Sequence, residues 1–385
     1  MFSLNEASAL AREPDLAAAL EAVDRYLAAR AGAPAFRQAR GIVSEVHEKN
    51  RFRSLAEVGL NAAFLSEATG GSALPESAAA LFAERCGWWL ARAPFLENIV
   101  FPTALATRIE DDETLAAMAA GKAVCVAWQE DAFDLSGPAA LDTSLMRDGQ
   151  GWRLRGRKRF VMGASGSDRI LVLAQQGQQA VIVCVTSTAA GVVRTDKLLA
   201  DGSHWSELDF DLVLPPNALR AQGPQVHEAV VQAVAVTNLA IAGMLHGLQS
   251  RMLAMTLDYL RTRVQFGQAI GSFQALQHRA TELYTHAQIT RFLVGEAADA
   301  LRERDESGSL QVYASRAKAR AADSAQRIAK EAIQMHGAMG FSDEYDLGLY
   351  VKRVLVMSAW LGGADWHRRH LARIDPLELE LEVLT

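Results

Sequence analysis

The chain has 385 residues, half of them hydrophobic and 22% charged, with a formal net charge of −6. This composition is that of a globular protein long enough for two or three domains, and it excludes a disordered or fibrous chain. Lys and Arg are scattered, which excludes both a nucleic-acid-binding stripe and a polybasic membrane-binding surface.

The first residues, MFSLNEASALAREPDL, lack a charged segment followed by an apolar one, so no secretory signal is expected and a cytoplasmic location is. Cys86, Cys125 and Cys184 are far apart and odd in number, which argues against a disulfide framework. Up to about residue 118, alanine- and leucine-rich segments with apolar spacings of three and four predict helices. They are LNEASALAREPDLAAALEAVDRYLAARAGA, SLAEVGLNAAFL and, after the breaker EATGGSALPES, AAALFAERCGWWLARAP. Ser54 and Ser77 read as helix starts.

Near residue 120 the texture changes. AVCVAWQ, GWRLRGRKRF, DRILVLAQQ, QAVIVCVTS and SELDFDLVL are short, rich in Val and Ile, and separated by Gly, Asp and Ser. In the last of these, Glu207, Asp209 and Asp211 alternate with Leu208, Phe210 and Leu212, the pattern of a strand with one wet face. No helix interrupts the region, so an antiparallel barrel or sandwich is expected rather than a βαβ sheet. Pro215-Pro216-Asn217 closes it.

Helical patterning returns at about 224. It predicts helices over 225–262, 272–304, 310–336 and 346–372, the second ending near Gly308 and the third at Gly337. The apolar run 233–245 is too short for a membrane span and holds Thr237 and Asn238, so it reads as a buried helix. Four long helices with short links predict an antiparallel bundle. The expected fold class is α+β multidomain: an N-terminal all-α domain over 1–118, a middle antiparallel β-barrel-like domain over 119–222 and a C-terminal four-helix bundle over 223–385. No internal repeat is present.

The last helical segment contains SAWLGGADWHRRH at 358–370. Adjacent glycines cost a helix roughly 1 kcal/mol each relative to alanine. Gly362 and Gly363 therefore predict a chain break, a close backbone approach, or both. His367 and His370 have metal-like spacing but lack a supporting pattern; they read as a solvated helical face, and no metal is expected. Trp88, Trp89 and Trp366 read as core or interface residues. GASGSDR at 163–169 follows a strand but has no helix–strand repeat around it, so the dinucleotide-fold reading fails.

RTRVQFGQAIGSFQALQHR, at 261–279, joins two of the long helices through a Gly-rich link. Its order R-x-Q-F-G-x-x-I-x-x-F-Q-x-x-Q-H resembles the signature of the acyl-CoA dehydrogenase family of flavoproteins. QMHGAMGFSDEYDL, at 334–347, resembles that family's second C-terminal signature at the expected distance. Shorter agreements at ATGGSALPE and GRKRFVM extend the resemblance over nearly the whole chain. The family fold is a helical domain, a β-barrel-like domain and a four-helix bundle, in the order read above.

The resemblance implies FAD as cofactor, an acyl-CoA thioester as substrate and α,β-dehydrogenation as the reaction. It implies that Arg263 and Gln265 reach the diphosphate of an FAD bound by a neighbouring subunit, for which a planar, permanently charged guanidinium is suited. Phe266, Phe273 and Gln274 would lie around the adenosine half, and Gln334, Met335, Gly337 and Ala338 against the same moiety. Because these contacts cross subunits, at least a dimer is implied; family members are usually tetramers, and an electron-transfer flavoprotein is the expected acceptor.

In the middle domain the stretch AWQEDAFDLSG stands where the family has Thr-Glu-Pro and Gly-Ser-Asp. Gln129 takes the threonine position, Glu130 is kept, Asp131 replaces proline, and Asp134-Leu135-Ser136 replaces the second motif. The family's Trp-Ile-Thr beside the flavin becomes Phe160-Val161-Met162, and methionine offers no hydroxyl hydrogen bond. Gln129, Phe160, Val161 and Met162 are carried over as flavin-proximal, as are Gly363 and Asp365 in the last segment.

The family supplies a general base, usually a glutamate before a glycine. Counting from Gly337, that position holds Leu361. The alternative position on the first bundle helix holds Thr237-Asn238. Three readings stand at this point. The chain is a base-lacking subunit of a heteromeric acyl-CoA dehydrogenase, of the kind that acts on bulky steroid-type side chains. Or it is an active homomeric enzyme with a displaced base, Asp365 or Glu130. Or it is a non-catalytic scaffold of the same fold.

Overall fold

A computed structural model of the chain describes residues 3–42, 44–132, 135, 141–303 and 310–375. Asp134, Ser136 and Gly308 lie outside the described residues. The chain divides into two compact units. One comprises Met1–Arg40, Ser77–Arg92 and Asn238–Thr385; the other comprises Gly41–Glu76 and Ala93–Thr237.

Helices α1 (Pro14–Arg30), α2 (Ala33–Ala39), α3 (Glu45–Ala56), α4 (Ala79–Trp88), α5 (Phe101–Arg108) and α6 (Asp112–Ala119) precede the strands. α1 opens on Pro14 and buries Leu16, Leu20, Val23 and Leu27, one apolar stripe at spacings of four and three. Ser54 is not a helix start. It lies inside α3 with its hydroxyl donating to the Arg51 carbonyl, and the helix begins instead at Glu45, whose first turn carries Glu45 and Glu48. Ser77 belongs to the short 3₁₀ turn Glu76–Ala78 that leads into α4.

Among the described residues eight strands form one sheet: β1 (Val124–Ala127), β2 (Ser144–Asp148), β3 (Gly151–Met162), β4 (Arg169–Gln176), β5 (Gln179–Thr186), β6 (Val192–Leu198), β7 (His204–Leu214) and β8 (Leu219–Gln222). The hydrogen-bonded order is β6-β7-β3-β2-β4-β5-β8, with β1 beside β4. Pairing is antiparallel except for β1 with β4 and a single bridge from β2 to β4. The hairpin of β2 and β3 turns the chain twice before β4, which brings β4 back parallel to β1. On β7, Leu208, Phe210 and Leu212 are buried while Glu207, Asp209 and Asp211 face outward, as the alternation predicts. Cys125, Leu154, Val172, Val183 and Phe210 belong to the core beneath the sheet.

The long helices follow as α7 (Gln225–Thr262), α8 (Gln274–Glu303), α9 (Leu310–His336), α10 (Leu347–Ala359) and α11 (Ala364–Ile374). A two-stranded hairpin, β9 (Val264–Gln265) and β10 (Gln268–Ala269), links α7 to α8. α7 is long and apolar enough by composition to cross a membrane, unlike the short run read from sequence, but 89% of its most apolar window is buried inside the fold. α10 and α11 are separated at Trp360–Gly363, where the paired glycines predict a break.

Candidate functional site

The helix-ending segments that carry the two C-terminal signatures meet. Tyr259, in the last turn of α7, stacks on His336 at the end of α9, with ring centroids 4.4 Å apart at 29°. His336 Nδ1–H donates to the Ala332 carbonyl at 2.7 Å, so Nε2 is the free acceptor and takes the Tyr345 hydroxyl at 3.1 Å. Burial lowers the pKa of His336 and favours that neutral form. Tyr259 lies just before the first signature run and Tyr345 inside the second, and nothing in the sequence pattern singles out either one.

Beyond this stack the chain turns outward. Arg263, Gln265 and Gln274 are exposed, and Gln334, Gly337 and Ala338 are exposed at the end of α9, while Met335 is buried. Phe266 and Gly267 form the tip of the β9–β10 hairpin, both with positive φ (53° and 79°), the type I′ pattern. For phenylalanine that backbone is strained. Yet Phe266 is 90% exposed, with Phe273 edge-on at 6.1 Å. A strained, outward aromatic gains little inside its own chain beyond the Phe273 edge, and it fits a planar ligand such as the adenosine half of FAD.

The break at Trp360–Gly363 is held by two side chains. Lys318, from α9, is fully buried, and its Nζ donates to the carbonyls of Ser358, Trp360 and Gly362 at 3.2, 3.0 and 2.9 Å. His367, on α11, donates from Nε2 to the Leu361 carbonyl at 3.2 Å and accepts the Ser315 hydroxyl on Nδ1 at 3.1 Å. His367 is therefore buried with both nitrogens engaged, not part of a solvated face. Burial pulls its pKa down to about 3, with the Lys318 charge adding to the effect. Burial also pulls Lys318 down to about 7. The signal for Lys318 was a lysine within the small apolar stripe Ala314, Ala317, Ala321 and Ala325 of α9.

Leu361 itself has φ 54° and is buried. Gly362 has φ 104°, and a Cβ there would meet His367 Nε2 and Trp366 Cε3 at 2.9 Å each. A Cβ on Gly363 would meet nothing within 4 Å. Asp365 is exposed in the first turn of α11 and paired with Arg368 at 2.7 Å.

In the sheet-containing unit, Gln129 is buried and its carbonyl accepts the Arg159 amide at 2.8 Å. Lys158, fully buried, donates to the Trp128 carbonyl at 3.2 Å and to the Glu130 carboxylate at 2.5 Å. Glu130 also accepts the amides of Asp142 and Thr143 at 2.7 and 3.0 Å. Burial pushes the Glu130 pKa up, but the Lys158 charge and these hydrogen bonds outweigh it and leave the carboxyl below its ordinary value. Lys158 is pulled down to about 8 by burial, opposed by Glu130.

Phe160 sits at a bulge in β3 with φ 56°, packed on Trp205 at 4.7 Å. Val161 and Met162 are buried behind it. Asn98, in a π-helical turn at Leu96–Val100, donates to the carbonyl of Val124 and the hydroxyl of Ser167, anchoring the loop that follows β3.

The two usual base positions offer no proton acceptor of the needed kind. Leu361 is apolar. Thr237 donates back to the Ala233 carbonyl at 2.7 Å, and Asn238 is 4% exposed. Asn238 Oδ1 and Ser358 Oγ are both buried without a hydrogen-bond partner. Orphaned polar atoms of this kind are costly and are expected where a ligand or water is to be met.

Residues 228–374 match the family described as acyl-CoA dehydrogenase, C-terminal domain. The chain is similar to acyl-CoA dehydrogenase FadE27 of Mycobacterium tuberculosis, 25% identical over 338 residues that cover 85% of this chain and 88% of that protein. Among solved structures it resembles the Tcur3481-Tcur3483 steroid ACAD, with a TM-score of 0.81, 25% identity, and coverage of 95% of this chain and 99% of the other. It shares the fold of a chain in the ChsE4-ChsE5 complex of Mycobacterium tuberculosis, with a TM-score of 0.82, 22% identity, and coverage of 94% and 98%.

Proposed function

From the membership of this chain in the acyl-CoA dehydrogenase family, with FAD as its cofactor, we propose that it is the base-lacking subunit of a heteromeric acyl-CoA dehydrogenase. The observation that carries the proposal is Leu361. It stands at the family's base position on a fully braced backbone and cannot take a proton. Two observations favour this reading over a displaced base. Glu130 is consumed by Lys158 and two backbone amides, and Asp365 points to solvent beside Arg368.

FAD, when bound, supplies the acceptor for the hydride that leaves the acyl β-carbon. In this reading, Arg263 and Gln265 reach the diphosphate of an FAD bound by a neighbouring subunit, Phe266, Phe273 and Gln274 flank its adenosine, and Gln334 to Ala338 close against the same half. Gln129 and Phe160–Met162 line the flavin side, their backbone fixed by Lys158, Arg159 and Asn98. The proton from the α-carbon goes to a glutamate of the partner subunit. The likeness to the Tcur3481-Tcur3483 steroid ACAD supports a bulky, steroid-type acyl group as the substrate class and a same-fold partner. An electron-transfer flavoprotein is the proposed acceptor.

The test is anaerobic addition of a steroid-side-chain acyl-CoA to the FAD-loaded chain, alone and co-expressed with a glutamate-bearing subunit. The expected result is no bleaching of the flavin alone and full bleaching in the complex. Full bleaching by the isolated chain overturns the proposal in favour of a homomeric enzyme.

A further inference from the structure

A buried lysine is expensive, and Lys318 uses its three donors on backbone carbonyls rather than on a carboxylate. The acceptors are the Ser358 carbonyl in the last turn of α10 and the Trp360 and Gly362 carbonyls of the break, groups a helix end leaves unsatisfied. His367 takes the remaining one, at Leu361. Two side chains from α9 and α11 thus satisfy the carbonyls of 358, 360, 361 and 362. This over-determination is what permits the left-handed backbone at Leu361. The bracing serves no base, because Leu361 has none to offer. What it does fix is the segment immediately after: Gly363, open beyond its Cα, and the first turn of α11.

We infer that Lys318 is a positioning residue for the cofactor: by clamping the 358–362 carbonyls it sets Gly363 and the start of α11 in the one conformation that FAD meets. The inference rests on the FAD reading above and on the assignment of Gly363 to the cofactor surface. It concerns this subunit's own affinity for FAD and is independent of where the base lies.

The test compares FAD binding to the deflavinated chain by fluorescence quenching, with the visible spectrum of the bound flavin as second readout. The variants are Lys318→Met, His367→Ala, which releases only the Leu361 carbonyl, and Leu253→Ala, a core substitution in α7 away from the break. Lys318→Met is expected to raise the Kd by about tenfold or more and to blur the shoulders of the flavin band, as loss of a preorganised supporting contact does. His367→Ala is expected to give a smaller change of the same kind. Leu253→Ala lowers the melting temperature and leaves Kd and spectrum as in the wild type.

Wild-type Kd and spectrum in both Lys318→Met and His367→Ala overturn the inference, and so does an equal loss of FAD from Leu253→Ala. If Lys318→Met does not fold, the His367→Ala result decides. Failure of the wild-type chain to bind FAD refutes the cofactor reading itself, so the two failures are distinguishable.

Discussion

Tyr259 stacks on His336, 77 residues further along the chain, joining the last turn of α7 to the end of α9, so the two signature runs are supported from one aromatic contact. His336 is also fixed by Ala332 and Tyr345, and the stack cannot slide without breaking a hydrogen bond. Tyr259→Ala is therefore expected to weaken FAD binding even though Tyr259 belongs to neither motif. Removing the ring forfeits its burial and a pair contact of about 1 kcal/mol, so a several-fold rise in Kd is expected by fluorescence titration.

Asn238 carries a buried acceptor without a partner, at the position that the resemblance assigns to the alternative base. Asn238→Leu removes that unmet acceptor at similar volume. The ligand-free chain is expected to be as stable or more stable, by up to about 1–2 kcal/mol in denaturant unfolding. Acyl-CoA binding, measured by calorimetry, is expected to weaken. Unchanged affinity assigns the orphan to local packing.

The order helices, sheet, bundle was legible because period-two and period-3.6 patterns are strong over long segments, as in SELDFDLVL and in α9. The candidate site, as the resemblance assigns it, was legible where it is local. Arg263 to Gln274 and Gln334 to Ala338 are contiguous runs whose spacing survives without a structure. It was not legible where it depends on tertiary contact. Lys318 and His367 lie 49 residues apart and become one clamp only when α9, α10 and α11 pack. An H-x-x-H spacing on a helix says nothing of whether one histidine turns inward. The parallel step of β1 beside β4 was hidden for the same reason: strand direction comes from connections, not from strand composition.

Glu130 looks like a spare carboxylate in the sequence and is a structural anion in the fold. Glu130→Gln leaves Lys158 buried without its counter-charge. The expected outcome is a loss of stability of roughly 2–4 kcal/mol, seen as a lower unfolding midpoint. Gln still accepts from the Asp142 and Thr143 amides, so the loop geometry is expected to persist. A displaced base would instead show an intact midpoint and lost flavin bleaching in the assembled enzyme.

The clamp also has a pH signature. His367 has a pKa of about 3 in the fold against 6.5 for the free side chain. Between these values the unfolded chain takes up a proton that the folded chain refuses, so stability falls as pH drops from 6.5 towards 3. Lys318 stands at about 7 against 10.5. There the folded chain has already released a proton that the unfolded chain keeps, so stability rises as pH climbs from 7 to 10.5. Each window is worth on the order of several kcal/mol at its far end. Urea midpoints against pH are expected to flatten on the acid side in His367→Gln and on the alkaline side in Lys318→Met.

Gly362 and Gly363 are neighbours with opposite reasons for being glycine. Gly362 has φ 104°, and its missing Cβ leaves room for the His367 ring that holds Leu361. Gly362→Ala therefore strains the backbone and pushes against the clamp, and a loss of roughly 2–4 kcal/mol is expected in denaturant unfolding. Gly363 has an ordinary extended backbone, φ −78° and ψ 169°, with empty space where a Cβ would stand. Gly363→Ala is expected to change the stability of the ligand-free chain by no more than about 0.5 kcal/mol. If that space belongs to the cofactor, the same methyl group raises the Kd for FAD. A Gly363→Ala chain with wild-type stability and wild-type FAD affinity would remove Gly363 from the cofactor surface and leave Gly362 as the sole reason for the pair.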